Sequence, residues 1–130
     1  MNNLSQLAEL IKTRNQVETQ ITALIYRPAQ IGHLGEFIAS KVFDIELDES
    51  AARKSIDGHF KQGILNGRSV NIKWYAKQEG LLDITPSSLP DFYLVLTGPK
   101  SAAVSSRGKP RPWLIQMVYL FDAEKLMIKL

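Results

Sequence analysis

The sequence predicts a mixed α/β (α+β) domain: two helices, a hairpin, two further strands and a short tail. That order suits one sheet of about four strands with helices covering it. Three observations carry the prediction. Apolar residues recur near a 3.6-residue period from Leu4 to Tyr26 and again from Ala29 to Phe43, an Asn66-Gly67 turn sits between two extended runs, and Asp91 to Thr97, DFYLVLT, is almost continuously apolar.

The first helix, Leu4 to Tyr26, spaces Leu4, Leu7, Ile11, Ile21, Leu24 and Ile25 on one side. Its middle, Lys12 to Gln16, is polar and admits a break near Asn15. Such a helix serves for packing or for dimerisation. Arg27-Pro28 ends it, because proline turns the preceding residue away from helical angles and itself suits the first turn of the next helix. In that second helix Ile31, Leu34, Phe37, Ile38 and Val42 keep helical spacing. Gly32 and Gly35 each cost up to about 1 kcal/mol against alanine, which points to close approach of another backbone. Glu36 stands among these packing positions.

Asp44 to Ser55 reads as an acidic loop, FDIELDE leading on to the hairpin. Ala76 to Pro90 reads as a second loop, rich in Gly, Asp, Ser and Pro. The run at Asp91 suits a central strand, apolar on both faces. Gly98 to Pro112 is a polar, basic loop, Trp113 to Phe121 a strand, and Asp122 to Lys129 a short helix or a final strand. No internal repeat or composition break divides the chain, so residues 1–130 are expected to form one domain, long enough to bury a core without staples.

Composition excludes several classes. With 45% hydrophobic and 22% charged residues the chain is globular rather than disordered. Nothing approaches the roughly 18 apolar residues of a membrane span, and MNNLSQLAEL lacks the basic start and apolar centre of a signal peptide, so the cytoplasm is the expected compartment. Without cysteine there is no disulfide, thiolate metal site or cysteine nucleophile, and His33 and His59 are too few for a zinc site of the usual nitrogen and sulfur ligands. The net charge of +3 permits a phosphate-rich partner. Lys100, Arg107, Lys109 and Arg111 gather in one loop without an acid and are the candidate nucleic-acid contacts.

The hairpin, Ile56 to Phe60 and Arg68 to Tyr75, decides the chemistry. A two-residue loop at Asn66-Gly67 would put Lys73 on the face opposite Asp57. A three-residue loop, with Gly67 left-handed in a G1 bulge, pairs Ile64 with Arg68 and Asp57 with Tyr75, and Asp57, Asn71 and Lys73 then share a face. The second register is the expected one. A carboxylate, an amide oxygen and an ammonium are poor core material, since burying them unpaired costs several kcal/mol. They suit a metal ion and a water. His59, on the same strand face as Asp57, is an alternative base, and Trp74 and Tyr75 read as core aromatics.

A helix glutamate in IGHLGEF, an aspartate on a first strand in SIDGHF and an x-lysine on the next in VNIKW stand in an order that resembles the PD-(D/E)xK, or restriction-endonuclease-like, nuclease superfamily. More narrowly, the chain is similar to small prokaryotic domains of that superfamily with an NxK variant of the motif. The resemblance spans Gln30 to Thr97. It implies a restriction-endonuclease-like core and a metal-dependent endonuclease hydrolysing DNA with Mg²⁺ or Mn²⁺. It assigns the metal to Asp57, Asn71 and the Ile72 backbone, the attacking water to Lys73, and an auxiliary acid role to Glu36. Asn71 stands where the family usually has a second carboxylate and brings no charge, which lowers the expected metal affinity. The alternative is a nucleic-acid-binding or assembly module on the same fold whose metal site has decayed at Asn71. Cutting both strands would be easiest for a symmetric homodimer. Pro90-Asp91 is a literal PD, but Leu114-Ile115-Gln116 on the following strand supplies no acid-x-lysine, so Asp91 is expected to be a turn residue.

Overall fold

The computed structural model describes residues 2–49, 55–76, 82–99 and 112–128. It is a mixed α+β structure that divides into two units, Met1–Leu34 and Gly35–Leu130. Among the described residues no helix is long and apolar enough to cross a membrane.

The first unit is dominated by α1, Asn3–Ile25, continuous through Asn15 with no break. The Asn2 side chain caps its start by accepting the Ser5 N–H at 2.8 Å. Tyr26, at φ 59°, ends it in the left-handed conformation, its N–H donating to the Thr22 carbonyl. The second helix, α2, is Ile31–Val42 and crosses into the second unit at Gly35.

The second unit holds a five-stranded sheet rather than about four strands, in the order β1-β2-β3-β4-β5. The strands are β1 Ile45–Leu47, β2 Gly58–Phe60, β3 Ser69–Tyr75, β4 Phe92–Thr97 and β5 Met117–Asp122, followed by α3, Ala123–Ile128. The additional strand is β1, which lies within the segment expected to be an acidic loop. Ile45 is buried and Glu46 exposed, so the period-2 pattern is present, compressed into three residues. Gly58 makes this pairing possible, because a side chain there would run into the Glu46 carbonyl of β1. Only β3 and β4 run parallel; the other neighbours are antiparallel.

Alternation along β3 divides the core into two layers. Val70 and Ile72 pack with Ala39 of α2, Ile45, Phe60 and Leu94 on one face. Tyr93, Val95 and Ala123 form the other layer, with Tyr75, Leu82, Ile84, Leu89 and Leu126 against them. The largely apolar β4 is an interior strand, flanked by β3 and β5 and buried from Tyr93 to Thr97, though β3 holds the centre of the sheet. Trp74 is core as expected, its indole N–H donating to the Leu114 carbonyl at 3.2 Å.

The hairpin register differs from the expected one. Gly67 is left-handed at φ 83°, and Phe60 bonds to both Gly67 and Arg68, which is the G1 bulge. The loop, however, runs on through Gly63, itself at φ 76°, and is longer than three residues. Gly58 therefore faces Val70 and His59 faces Ser69, and Asp57, just before the paired residues, donates its N–H to the Val70 carbonyl, so the expected pairing of Asp57 with Tyr75 is not made. By alternation Asn71 and Lys73 share the side of β3 that meets Tyr93 and Val95 of β4, whereas Val70 and Ile72 face the layer that holds Ala39 of α2. Asp57 precedes the paired residues, so alternation does not set its side.

Candidate functional site

Asp57 immediately precedes β2. Its N–H donates to the Val70 carbonyl at 2.9 Å, and its own carbonyl accepts from Asp48 N–H at 2.8 Å. The backbone is thus anchored on both sides while the side chain reaches past the end of the ladder. There Asp57 Oδ2 accepts the Ile72 N–H at 2.7 Å. Along a strand N–H and C=O of one residue point to the same side, so the Ile72 carbonyl is directed toward the same edge of β3.

Glu36 reaches this carboxylate from α2. Gly35 explains how: a Cβ at that position would stand 2.9 Å from the Trp74 Cβ, so its absence lets the helix settle onto the sheet and carries Glu36 to Asp57. Gly32 has nothing within 4 Å of the equivalent point, so of the two glycines only Gly35 answers to close packing.

The electrostatics follow from this placement. Burial pushes the Asp57 carboxyl up from 3.8 to about 7; the Ile72 N–H opposes the rise, the hydrogen bond and negative charge of Glu36 add to it, and the Lys73 ammonium lowers it. Two carboxyl groups sharing a hydrogen bond, with a cation near, form a pair that holds a proton readily and would exchange it for a metal ion. Lys73 is half-buried.

Asn71 lies on the other face of β3 from Val70 and Ile72. It is buried, and its amide NH₂ donates to the Ser55 carbonyl at 3.0 Å, which fixes the amide's orientation. Its Oδ1 is buried with no hydrogen-bond partner among the described residues. An unpaired buried acceptor costs about 1–3 kcal/mol and calls for a cation or a water.

These features test the fit of a divalent ion. Among the described residues no three His, Cys, Asp or Glu side chains gather around one point. Mg²⁺, however, is commonly held by one or two carboxylates with waters and substrate oxygens completing its octahedron. The carboxyl pair and the Ile72 carbonyl are an all-oxygen set of that kind, and Glu36, Asp57 and the Ile72 backbone are the groups that would hold it. Asn71, the further ligand the resemblance implies, is tied to Ser55 instead.

Other candidates fall away. His59 turns to Asp48, Nδ1 to Oδ1 at 3.3 Å. Asp91 is structural: its Oδ2 accepts from both the Ser69 N–H at 2.9 Å and the Ser69 hydroxyl at 3.2 Å, while its N–H donates to that hydroxyl at 2.8 Å. It clamps the starts of the parallel strands β3 and β4. Lys100, Arg107, Lys109 and Arg111 lie outside the described residues. Sequence reasoning missed the Ser55 carbonyl that holds Asn71 and the Asp48 partner of His59, because neither belongs to a motif. Compared with known proteins, the chain matches no family model and no curated protein, so its chemistry rests on the residues themselves.

Proposed function

We propose that the protein is a metal-dependent nuclease that hydrolyses phosphodiester bonds of DNA with Mg²⁺ or Mn²⁺, on a restriction-endonuclease-like core. The observation that carries this reading is the meeting of Glu36 and Asp57, from a helix and a strand start, beside Lys73 and the Ile72 backbone. A structural ion pair would match one acid with one base. Here two acids crowd together and raise the proton affinity of Asp57, a perturbation that marks sites of chemistry.

In the reaction, water attacks phosphorus in line with the departing sugar oxygen, the new P–O bond forms as the old one breaks, and the leaving oxygen takes up a proton. Glu36 and Asp57, once deprotonated, supply the negative charge that binds the ion. A bound divalent ion offsets charge on the phosphoryl oxygens and acidifies its water. Lys73, whose charge acts on Asp57, orients the attacking water and donates to a phosphoryl oxygen as negative charge builds. The Ile72 N–H holds one Asp57 oxygen, which would leave the other to bind the ion.

The test is incubation of supercoiled plasmid with the protein and Mg²⁺ or Mn²⁺, beside a Lys73→Ala control. Nicking or linearisation that is lost in the control supports the nuclease; intact plasmid under both metals refutes it. One observation favours a second reading. The Asn71 amide is locked onto Ser55, an uncharged group where a second strand carboxylate would stand, and a nucleic-acid-binding or assembly module with a decayed site would bind the plasmid without cutting it.

A further inference from the structure

The stripe down α1 reads the same in both directions. Leu7, Ile11, Arg14, Glu18, Ile21 and Ile25 are spaced four, three, four, three and four residues apart, a pattern symmetric about Gln16. These spacings put all six within a narrow arc of the helix surface. Leu7 is 52% exposed and Ile11 48% exposed. Leu10, Val17 and Leu24, seven residues apart, form an exposed apolar row along one flank of the arc.

We infer that α1 joins two copies of this chain as an antiparallel helix pair centred on Gln16. Turning one helix end for end about that residue sets Leu7 against the partner's Ile25, Ile11 against the partner's Ile21, and Arg14 against the partner's Glu18. Every apolar position in the seam then meets an apolar one, and every charge meets its opposite. In the flanking row Val17 meets the partner's Val17 and Leu10 meets the partner's Leu24. The pairing is isologous, as a two-fold axis requires.

Charge decides the orientation. A parallel, in-register pair would set Arg14 against Arg14 and Glu18 against Glu18 in the middle of the seam. The antiparallel pair converts both repulsions into ion pairs, and polar residues at seam positions are the device by which coiled coils fix orientation and register. Within one helix Arg14 Nη2 already lies 3.2 Å from Glu18 Oε1, so the pair presents two opposite charges ready to extend across the axis. A helix closing only on its own chain would have no need of a stripe that matches itself reversed.

The experiment uses the full chain, which lacks cysteine, and so accepts single cysteines as reporters. Sedimentation equilibrium at tens of micromolar should give twice the chain mass. Val17→Cys should oxidise to a covalent dimer, Leu7→Cys should not, and Leu10→Cys mixed with Leu24→Cys should yield the heterodimer. Arg14→Glu should shift the chain toward monomer by tenfold or more in dissociation constant, and Arg14→Glu with Glu18→Arg should restore the dimer, with unchanged helical circular dichroism in both. A monomer at all concentrations overturns the inference, and so does a dimer that cross-links through Leu7→Cys, which is the parallel arrangement. The result is independent of plasmid cleavage, so either reading can fail without the other.

Discussion

Ile72 donates its backbone N–H to Asp57 Oδ2 at 2.7 Å, across the point where the β2 ladder gives out. A strand amide that has lost its ladder partner finds a carboxylate instead. That carboxylate is thereby held beside Glu36 and raised to about 7.

The sign of the resulting pH dependence is fixed. Between 3.8 and about 7 the folded chain keeps a proton on Asp57 that the unfolded chain has lost. The folded state binds more protons, so stability falls as pH rises through that window and levels off above it, by a few kcal/mol at most. Asp57→Asn should flatten this slope and be about 1–3 kcal/mol more stable than the wild type at pH 8. Urea denaturation at pH 5 and pH 8 checks it; a wild-type protein that gains stability from pH 5 to pH 8 speaks against the buried acid pair.

The glycines of α2 should respond in opposite directions. Gly35→Ala pushes a methyl group to 2.9 Å from the Trp74 Cβ, and should cost about 1–3 kcal/mol while displacing Glu36. Gly32→Ala meets nothing and should stabilise by up to about 1 kcal/mol. Thermal unfolding of the two variants distinguishes them, and equal shifts would contradict the close approach.

Replacing Asn71 by aspartate should separate stability from metal affinity. The variant loses the amide donation to Ser55 and adds a buried negative charge, so without metal it should lose about 1–3 kcal/mol. On the proposed nuclease reading it also supplies the second strand carboxylate, so Mg²⁺ should raise its melting temperature more than that of the wild type. Melting curves with and without 10 mM Mg²⁺, about the concentration range in which weak carboxylate sites fill, provide the check.

Asp91→Ala breaks the clamp between Ser69 and the start of β4 and should cost about 1–2 kcal/mol. Asp91 is held by Ser69, so on the proposed nuclease reading plasmid cleavage by the folded variant should match the wild type. Loss of cleavage at full folding would return Asp91 to the list of site residues.

Much of this was legible in the sequence where a residue type has few physical explanations. A glycine inside an amphipathic helix signals close approach, and Gly35 delivers it; Gly32 shows that the signal is not specific. Gly67 announced its left-handed bulge, yet Gly63 lengthened the loop, and no local rule weighs two competing glycines. Asn71 and Lys73 share a face by alternation whatever the register, but the side of Asp57 was not legible, because it precedes the paired residues and its N–H turns to Val70. The strand β1 escaped notice because three residues carry too little periodicity to outweigh the acids around them. The contact of Glu36 with Asp57 was not legible from spacing at all, since it depends on how α2 lies over Trp74.

The most direct measurement is calorimetric or electron-paramagnetic titration of Mn²⁺ into the metal-free protein at pH 8. Binding of one ion per chain, abolished in Asp57→Ala and weakened at least tenfold in Glu36→Gln, is the predicted result. Failure to bind Mn²⁺ at millimolar concentration, or binding that Asp57→Ala leaves unchanged, would contradict it.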